Sequence, residues 1–243
     1  MNYPNNHRLH VSAVFVLAVM LAGTIKATTI STFGTWNGRS SYGPSLGEAG
    51  QVDPGAYASY GQTFTAPNGD NLLISFSIVM HQNTADPSII GGYLMRWDGQ
   101  RASGPVLYES GPISIGPEGS WQQVTFNPLN LVLTGGQQYV FIVSASQYFN
   151  GLESTADLVG MALDPYPAGM MVNMDNGTDI SKWTSQDWTP NPPSWDTVFT
   201  AEFSPVPDPP SAILFPIGLA FLILAGMRRK YWCRVNLISN PNE

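Results

Sequence analysis

The chain has one cysteine in 243 residues, Cys233, close to its end. Everything before that position therefore has no disulfide, no thiol nucleophile and no cysteine metal site. Cations are nearly as scarce. Of ten Lys and Arg, only Arg39, Arg96, Arg101 and Lys182 fall between Thr28 and Ser211, where sixteen of the seventeen acids also lie. A surface of that sign repels nucleic acid and anionic lipid, and it tolerates neutral glycans and divalent cations. Histidine is represented in the same stretch by His81 alone. A Ser-His-Asp system is defined by geometry around a histidine, and no strand-turn-helix Gly-x-Ser-x-Gly elbow occurs. His81, at the end of a strand-like run, reads as a solvent-facing residue. No amphipathic helical stretch and no internal repeat is visible.

What the chain has in quantity is turn residues. Gly (24) and Pro (20) are plentiful while charged residues make up only 11%, a balance that favours a turn-rich all-β domain. Met1 to His10 is polar with Arg8 as its cation, and Val11 to Gly23 is apolar. A basic segment, a short apolar run and small residues have the form of a secretory signal peptide. The expectation is a signal over 1–27, cleaved near Ala27; the run is short for a membrane anchor. The folded part is then 28–204, enough for one core. An exported domain of that size does not need disulfides.

Runs with strand periodicity alternate with turn signals through this part. Thr29–Phe33 comes first, then a long loop rich in Gly, Ser and Pro, then Ala58–Thr65, closed by Pro67-Asn68-Gly69. In Leu72–Met80, the residues Leu72, Ile74, Phe76, Ile78 and Met80 alternate and are expected to share one face. Ile90–Trp97 places Tyr93, Met95 and Trp97 together before an Asp98-Gly99 turn. Val106–Ser110, Trp121–Phe126 and Leu131–Leu133 follow. Gln138–Ala145 sets Tyr139, Phe141, Val143 and Ala145 opposite Val140 and Ile142, the pattern of a central strand buried on both faces. Gly160–Leu163, Met170–Met174 and Thr197–Phe203 bring the set to about ten strands at sandwich spacing. The expected architecture is a jelly-roll-like two-sheet β-sandwich, with Trp97 and Trp121 in its core.

The most specific signal lies over 205–230. Pro205-Val206-Pro207-Asp208-Pro209-Pro210 cannot join a regular ladder, because Pro lacks the N–H. Ala212–Met227 is apolar and about 24 Å long as a helix, short of a ~30 Å hydrocarbon core. The cations Arg228, Arg229 and Lys230, with Tyr231 and Trp232, can cover the difference by snorkelling. The basic cluster marks the cytoplasmic side, so the domain faces outward and 231–243 is a cytoplasmic tail. This order resembles the PEP-CTERM sorting signal of Gram-negative bacteria: a Pro-acid-Pro motif within 206–209, a transmembrane helix over 212–227, a basic cluster over 228–230. Asp208 stands between Pro207 and Pro209 where that family usually has Glu. The resemblance implies recognition by exosortase, an integral-membrane processing enzyme, with cutting near the motif and release to the cell surface or exopolysaccharide. The pieces Gly61-Gln62-Thr63-Phe64-Thr65-Ala66-Pro67, Trp97-Asp98-Gly99 and Gly104-Pro105-Val106-Leu107-Tyr108 are similar to the globular region common among such proteins. So are Val124-Thr125-Phe126, Leu133 to Val140 and Asp164-Pro165-Tyr166. They imply location rather than chemistry, and no cofactor.

Three groups of residues are candidates for a site within the domain. Trp183, Trp188 and Trp195 lie in one long loop, Asp175 to Asp196, where exposed rings would stack on sugars; the same rings would otherwise cover the sandwich edge. Asp175-Asn176-Gly177-Thr178-Asp179 gathers oxygen atoms around a glycine, and Asp175 and Asp179 are weak calcium candidates; a turn with Asx hydrogen bonds explains the same residues. Carboxylates for a glycosidase pair are available at Glu48, Glu109, Glu118 and Glu153, with nothing in their spacing to single out two. Two functions follow as expectations: a non-catalytic surface or matrix protein associated with exopolysaccharide, or a secreted hydrolase acting on polysaccharide.

Overall fold

The computed structural model describes residues 27–39, 45–48, 55–119, 121–127, 131–161, 164–191 and 195–206. The chain divides into two units after Pro205, and the first of these is the subject below. The expected signal peptide up to Lys26, and everything from Pro207 onward, lie outside the described residues. Among the described residues no helix is long and apolar enough to cross a membrane.

The first unit is built almost wholly from strands. In order they are β1 (Thr28–Ser31), β2 (Ser45–Gly47), β3 (Ser59–Thr65), β4 (Leu72–Gln82), β5 (Ile89–Trp97), β6 (Ala102–Glu109), β7 (Ile113–Ser114) and β8 (Trp121–Phe126). Then come β9 (Leu131–Val132), β10 (Gln138–Ser144), β11 (Thr155–Leu158), β12 (Gly160–Met161), β13 (Met171–Met174), β14 (Thr189–Pro190), β15 (Asp196–Thr197) and β16 (Phe199–Ser204). A one-turn helix, α1 (Lys182–Ser185), precedes β14. Each run read as a strand contains one. Five strands, β2, β7, β11, β14 and β15, were not expected as separate elements. Each is at most four residues long and has too few apolar residues to show an alternation.

Most strands form two antiparallel sheets that face each other as a sandwich, and β12 pairs with β15 in a separate two-stranded ribbon. The first runs β1-β16-β4-β11-β2, with β8 and β9 on the other edge of β4. The second runs β14-β13-β3-β10-β5-β6, with β7 also on β5. β4 is eleven residues long, and that length lets β16 and then β11 share one of its edges. At the handover the backbones of three valines close a ring. Val79 N donates to Val198 O (3.1 Å), Val198 N to Val159 O (2.8 Å) and Val159 N to Val79 O (3.2 Å). No N–H is lost where the partner strand changes.

Both sheets bury one face in a common core. Phe76 of β4 stacks on Phe199 of β16 (centroids 5.4 Å, 11° between planes) and on Phe141 of β10 in the facing sheet (4.2 Å, 7°). Gly92 of β5 makes room for this packing. A Cβ there would lie 2.4 Å from the Phe126 ring, which itself packs on Phe141 at 4.9 Å. One expectation is corrected here. The core takes Leu73, Phe76, Ile78 and Met80, not Leu72 and Ile74. The β4–β16 register shifts between Glu202 and Phe203, so that Phe203 pairs with Leu73 and Glu202 with Ser75. The extra residue on β4 is a bulge, and a bulge moves every residue on one side of it to the opposite face.

The second sheet is apolar on its outer face as well. Val140 and Ile142 of β10 point there, as the two-faced pattern required, together with Tyr93, Met95 and Trp97 of β5 and Val172 and Met174 of β13. The segment carrying α1 folds over this face, and Trp183 and Trp188 complete a second core. Two contacts to the β5–β6 turn pin it: Trp188 N donates to Gln100 O (3.0 Å), and Arg101 pairs with Asp187 (2.8 Å).

A polar clamp closes the main core at the β3 side. Gln62 of β3 is buried; its Nε2 donates to Asp196 Oδ1 (2.8 Å), and its Oε1 accepts from Thr197 N (2.8 Å). Tyr166 N donates to the other Asp196 oxygen (2.9 Å). Burial outweighs these two hydrogen bonds and raises the Asp196 carboxyl to about 6.

Two predictions follow from this packing. Phe76→Ala removes the middle ring of the stack and lowers unfolding free energy by about 3–5 kcal/mol in urea titrations of the purified chain. For Asp196, the folded state keeps its proton up to about 6, whereas the unfolded chain releases it near the ordinary value of 3.8. The native state thus binds more protons across that window, and this group's contribution to stability falls as pH rises through it and is constant above. Comparison of wild type with Asp196→Asn at a series of pH values is expected to show the difference shifting by about 2–3 kcal/mol in favour of the variant between pH 4 and 6.5.

Candidate functional site

The sequence-derived candidates fare differently. Pro207, Asp208, Pro209, Arg228, Arg229 and Lys230 lie outside the described residues. The Asp175–Asp179 segment is a turn whose oxygen atoms are used by the chain. Asn176 is buried, accepting from Ser59 Oγ (2.7 Å) and donating to Ser146 Oγ (2.8 Å) and Asp179 O (3.2 Å). Asp179 Oδ1 accepts from the Ser181 hydroxyl (2.6 Å) and backbone N–H (3.0 Å), and these bonds hold its carboxyl below the usual range. Asp175 is exposed. Among the described residues no group of three His, Cys, Asp or Glu is placed to hold a metal ion.

The tryptophans of the long loop are a correction. Trp183 is 1% exposed and Trp188 4% exposed. Trp183 packs on Tyr93 at 4.9 Å and donates its indole N–H to Ser59 Oγ (3.0 Å); Trp188 packs on Trp97 at 6.4 Å and donates to Trp183 O (3.0 Å). Neither presents a ring face to a sugar, and Trp195 is partly buried against the main core. The physical reason lies in β5 and β10. Their outward residues are apolar and need a cover, and the two indoles supply it with their N–H groups satisfied inside.

The outer face of the first sheet has the opposite character. The core-facing residues Phe76, Ile78 and Met80 of β4 leave Ser75, Ser77, Val79 and His81 pointing outward, with Asn83 just after the strand. Strand registers then line up Trp121 of β8, His81 of β4, Asp157 of β11 and Ser45 of β2 as one row across four strands. At one end the row is aromatic. The rings run Phe33–Trp36 (5.9 Å), Trp36–Trp121 (5.6 Å) and Trp121–His81 (4.4 Å). Phe33 is 39% exposed, while Trp36 and Trp121 are partly buried on the cluster of Val79, Val159 and Val198. Trp121 is thus on the outer face and not in the main core, a second correction. Its position is odd-numbered, while the inward residues of β8, Val124 and Phe126, are even-numbered.

At the other end the row is polar and bonded in sequence. Asn83 Nδ2 donates to Asp157 Oδ1 (2.6 Å) and to Ser45 Oγ (3.2 Å), and Ser45 Oγ donates to the same Asp157 oxygen (2.9 Å). Asn83 Oδ1 lies 3.0 Å from His81 Nδ1. Because Asp157 can only accept, the amide orientation is determined, and His81 must carry its proton on Nδ1. In that tautomer Nε2 is the acceptor. Ser45 belongs to Gly43-Pro44-Ser45-Leu46-Gly47, a Gly-x-Ser-x-Gly string, but it sits in a strand and gives its proton to Asp157 rather than to a histidine. That is not the arrangement of a serine nucleophile.

No family model matches the chain, and no curated protein matches it. Solved structures to which it is similar include the cysteine protease and lectin-like domains of Cwp84, a surface layer associated protein of Clostridium difficile. There the identity is 11% and the TM-score 0.41, over 61% of this chain and 32% of that one. A second is the same clostridial cysteine protease after propeptide cleavage, at 11% identity and a TM-score of 0.38, over 61% of this chain and 36% of that one. The chain spans about a third of the length of these structures.

Proposed function

We propose that this chain is a non-catalytic exported protein of the cell surface or extracellular matrix. In this reading it is a jelly-roll-like sandwich that binds exopolysaccharide through the outer face of its first sheet. The observation that carries the reading is the run of partly exposed rings from Phe33 to His81, set beside the bonded row of Asn83, Asp157 and Ser45. Sugar rings have apolar C–H faces that stack on aromatics, and hydroxyl edges that need a few convergent polar groups. Both are present side by side. A glycosidase pair calls for two carboxylates across a cleft, whereas Asp157 is the single carboxylate of this row and its Oδ1 is already taken by Ser45 and Asn83. That supports binding over hydrolysis.

Delivery is the second part of the reading. A signal peptide over 1–27 would export the domain, and the 205–230 segment would hold it at the membrane until exosortase acts at Pro207-Asp208-Pro209. The acidic, cysteine-free stretch between Thr28 and Ser211 suits an extracellular neutral glycan better than nucleic acid or lipid.

Two measurements test these parts separately. In affinity electrophoresis through gels cast with neutral polysaccharides, Trp36→Ala and Trp121→Ala are expected to weaken retardation at least ~10-fold, with Trp188→Phe unchanged because that ring is internal. Equal retardation of all three would remove the assigned face. Replacing Pro207, Asp208 and Pro209 by Ala together is expected to leave the full-length chain in the membrane fraction on immunoblots. Unaltered release would overturn the sorting reading.

A further inference from the structure

We propose, resting on the glycan reading above, that the ligand is a single uncharged polysaccharide strand, and that His81 Nε2 accepts a hydrogen bond from one of its hydroxyls. Three observations carry this. The first is charge. The strands of the first sheet, β1, β2, β4, β8, β9, β11 and β16, contain no Lys or Arg, while its outer face carries Asp157 and Glu202. A uronate, sulfate or phosphate group laid on these strands would meet carboxylates with no Lys or Arg on the strands themselves, so polyanions are disfavoured. The second is the attitude of the rings. Successive planes along the strip differ by 80°, 60° and 42°. A flat crystalline surface needs coplanar rings. A lone strand that twists along its axis offers sugar faces in changing orientation and suits a turning strip.

The third observation is the His81 tautomer. The bonds from Asp157 through Asn83 commit Nδ1 as the donor and leave Nε2 as the acceptor, beside Trp121. A sugar stacked on Trp121 would bring an edge hydroxyl to that nitrogen. The groups around His81 are Asp157 on β11, Trp121 on β8, Val79 on β4 and Asn83 just beyond its end. Asp157 is the charged one, and it already accepts from Asn83.

The experiment is isothermal titration and pull-down of the purified full-length chain. The probes are soluble hydroxyethyl cellulose, xylan and glucomannan as neutral strands, polygalacturonate as the acidic polymer, and microcrystalline cellulose as the flat surface. Expected is binding to at least one neutral strand, with polygalacturonate and the crystalline surface weaker by ~10-fold or more. His81→Phe keeps a ring against Trp121 but has no acceptor. It is expected to weaken binding of the neutral strand ~10-fold, with an unchanged melting curve. Tightest binding to polygalacturonate or to the crystalline surface would overturn the inference while leaving glycan binding standing. So would a His81→Phe variant with wild-type affinity. Absence of binding to every glycan, or binding indifferent to Trp121→Ala, would overturn the glycan reading itself and the inference with it.

Discussion

The stack of Phe199, Phe76 and Phe141 is the contact on which the rest of the sandwich depends. Its middle ring belongs to β4, and β4 is the strand that every other strand of the first sheet joins directly or through one neighbour. Phe76 therefore sets two things at once: the distance between the sheets, and which face of β4 is inward. The bulge ahead of it adjusts the register so that Leu73 and Phe203 can join the same core. Phe64 extends the cluster from β3, at 5.8 Å from Phe76 and 6.1 Å from Phe203. With the inward face settled, the outward face follows, because side chains in a strand alternate.

The two outer faces then meet different fates for one reason. That of the second sheet is apolar, with Tyr93, Met95, Trp97, Val140 and Ile142, and water cannot be left against it. The segment around α1 covers it, and Trp183 and Trp188 are spent as core. That of the first sheet is Ser, Thr, Gln and His with a small valine cluster, which needs only partial cover. Trp36 and Trp121 provide that cover while staying partly exposed. Aromatic residues thus occur on both sides of the sandwich, but one set is consumed by stability and the other stays partly exposed. The clamp of Gln62 and Asp196 belongs to the first purpose: both are buried and bonded within the chain.

Much of the fold was legible in advance. The alternation in Gln138–Ala145 identified a strand buried on both sides, and β10 lies between β3 and β5 with Tyr139, Phe141 and Val143 in one core and Val140 and Ile142 in another. The face of Tyr93, Met95 and Trp97 was also readable. The candidate site was not. Trp121, a tryptophan on a strand, reads as core, although its odd position relative to Val124 and Phe126 places it on the other face. Asp157 and Ser45 lie on β11 and β2, strands of four and three residues with no periodic signal, held in place by β4. A pair at a sequence separation of 112, such as Ser45 and Asp157, has no local trace.

The sequence by itself determined the all-β class, the turn-rich plan, the acidic and cysteine-free character of the central stretch, and the order of Pro-acid-Pro motif, apolar run and basic cluster at the end. Those are properties of composition and spacing, and they survive any arrangement of the strands. Only the tertiary structure decided which tryptophans are hidden and which line a surface. That choice depends on which sheet face is apolar enough to demand a cover, on a one-residue bulge in β4, and on registers that bring Trp121, His81, Asp157 and Ser45 into one row. Each is a relation between residues far apart in the chain, and side-chain packing, not local propensity, fixes it.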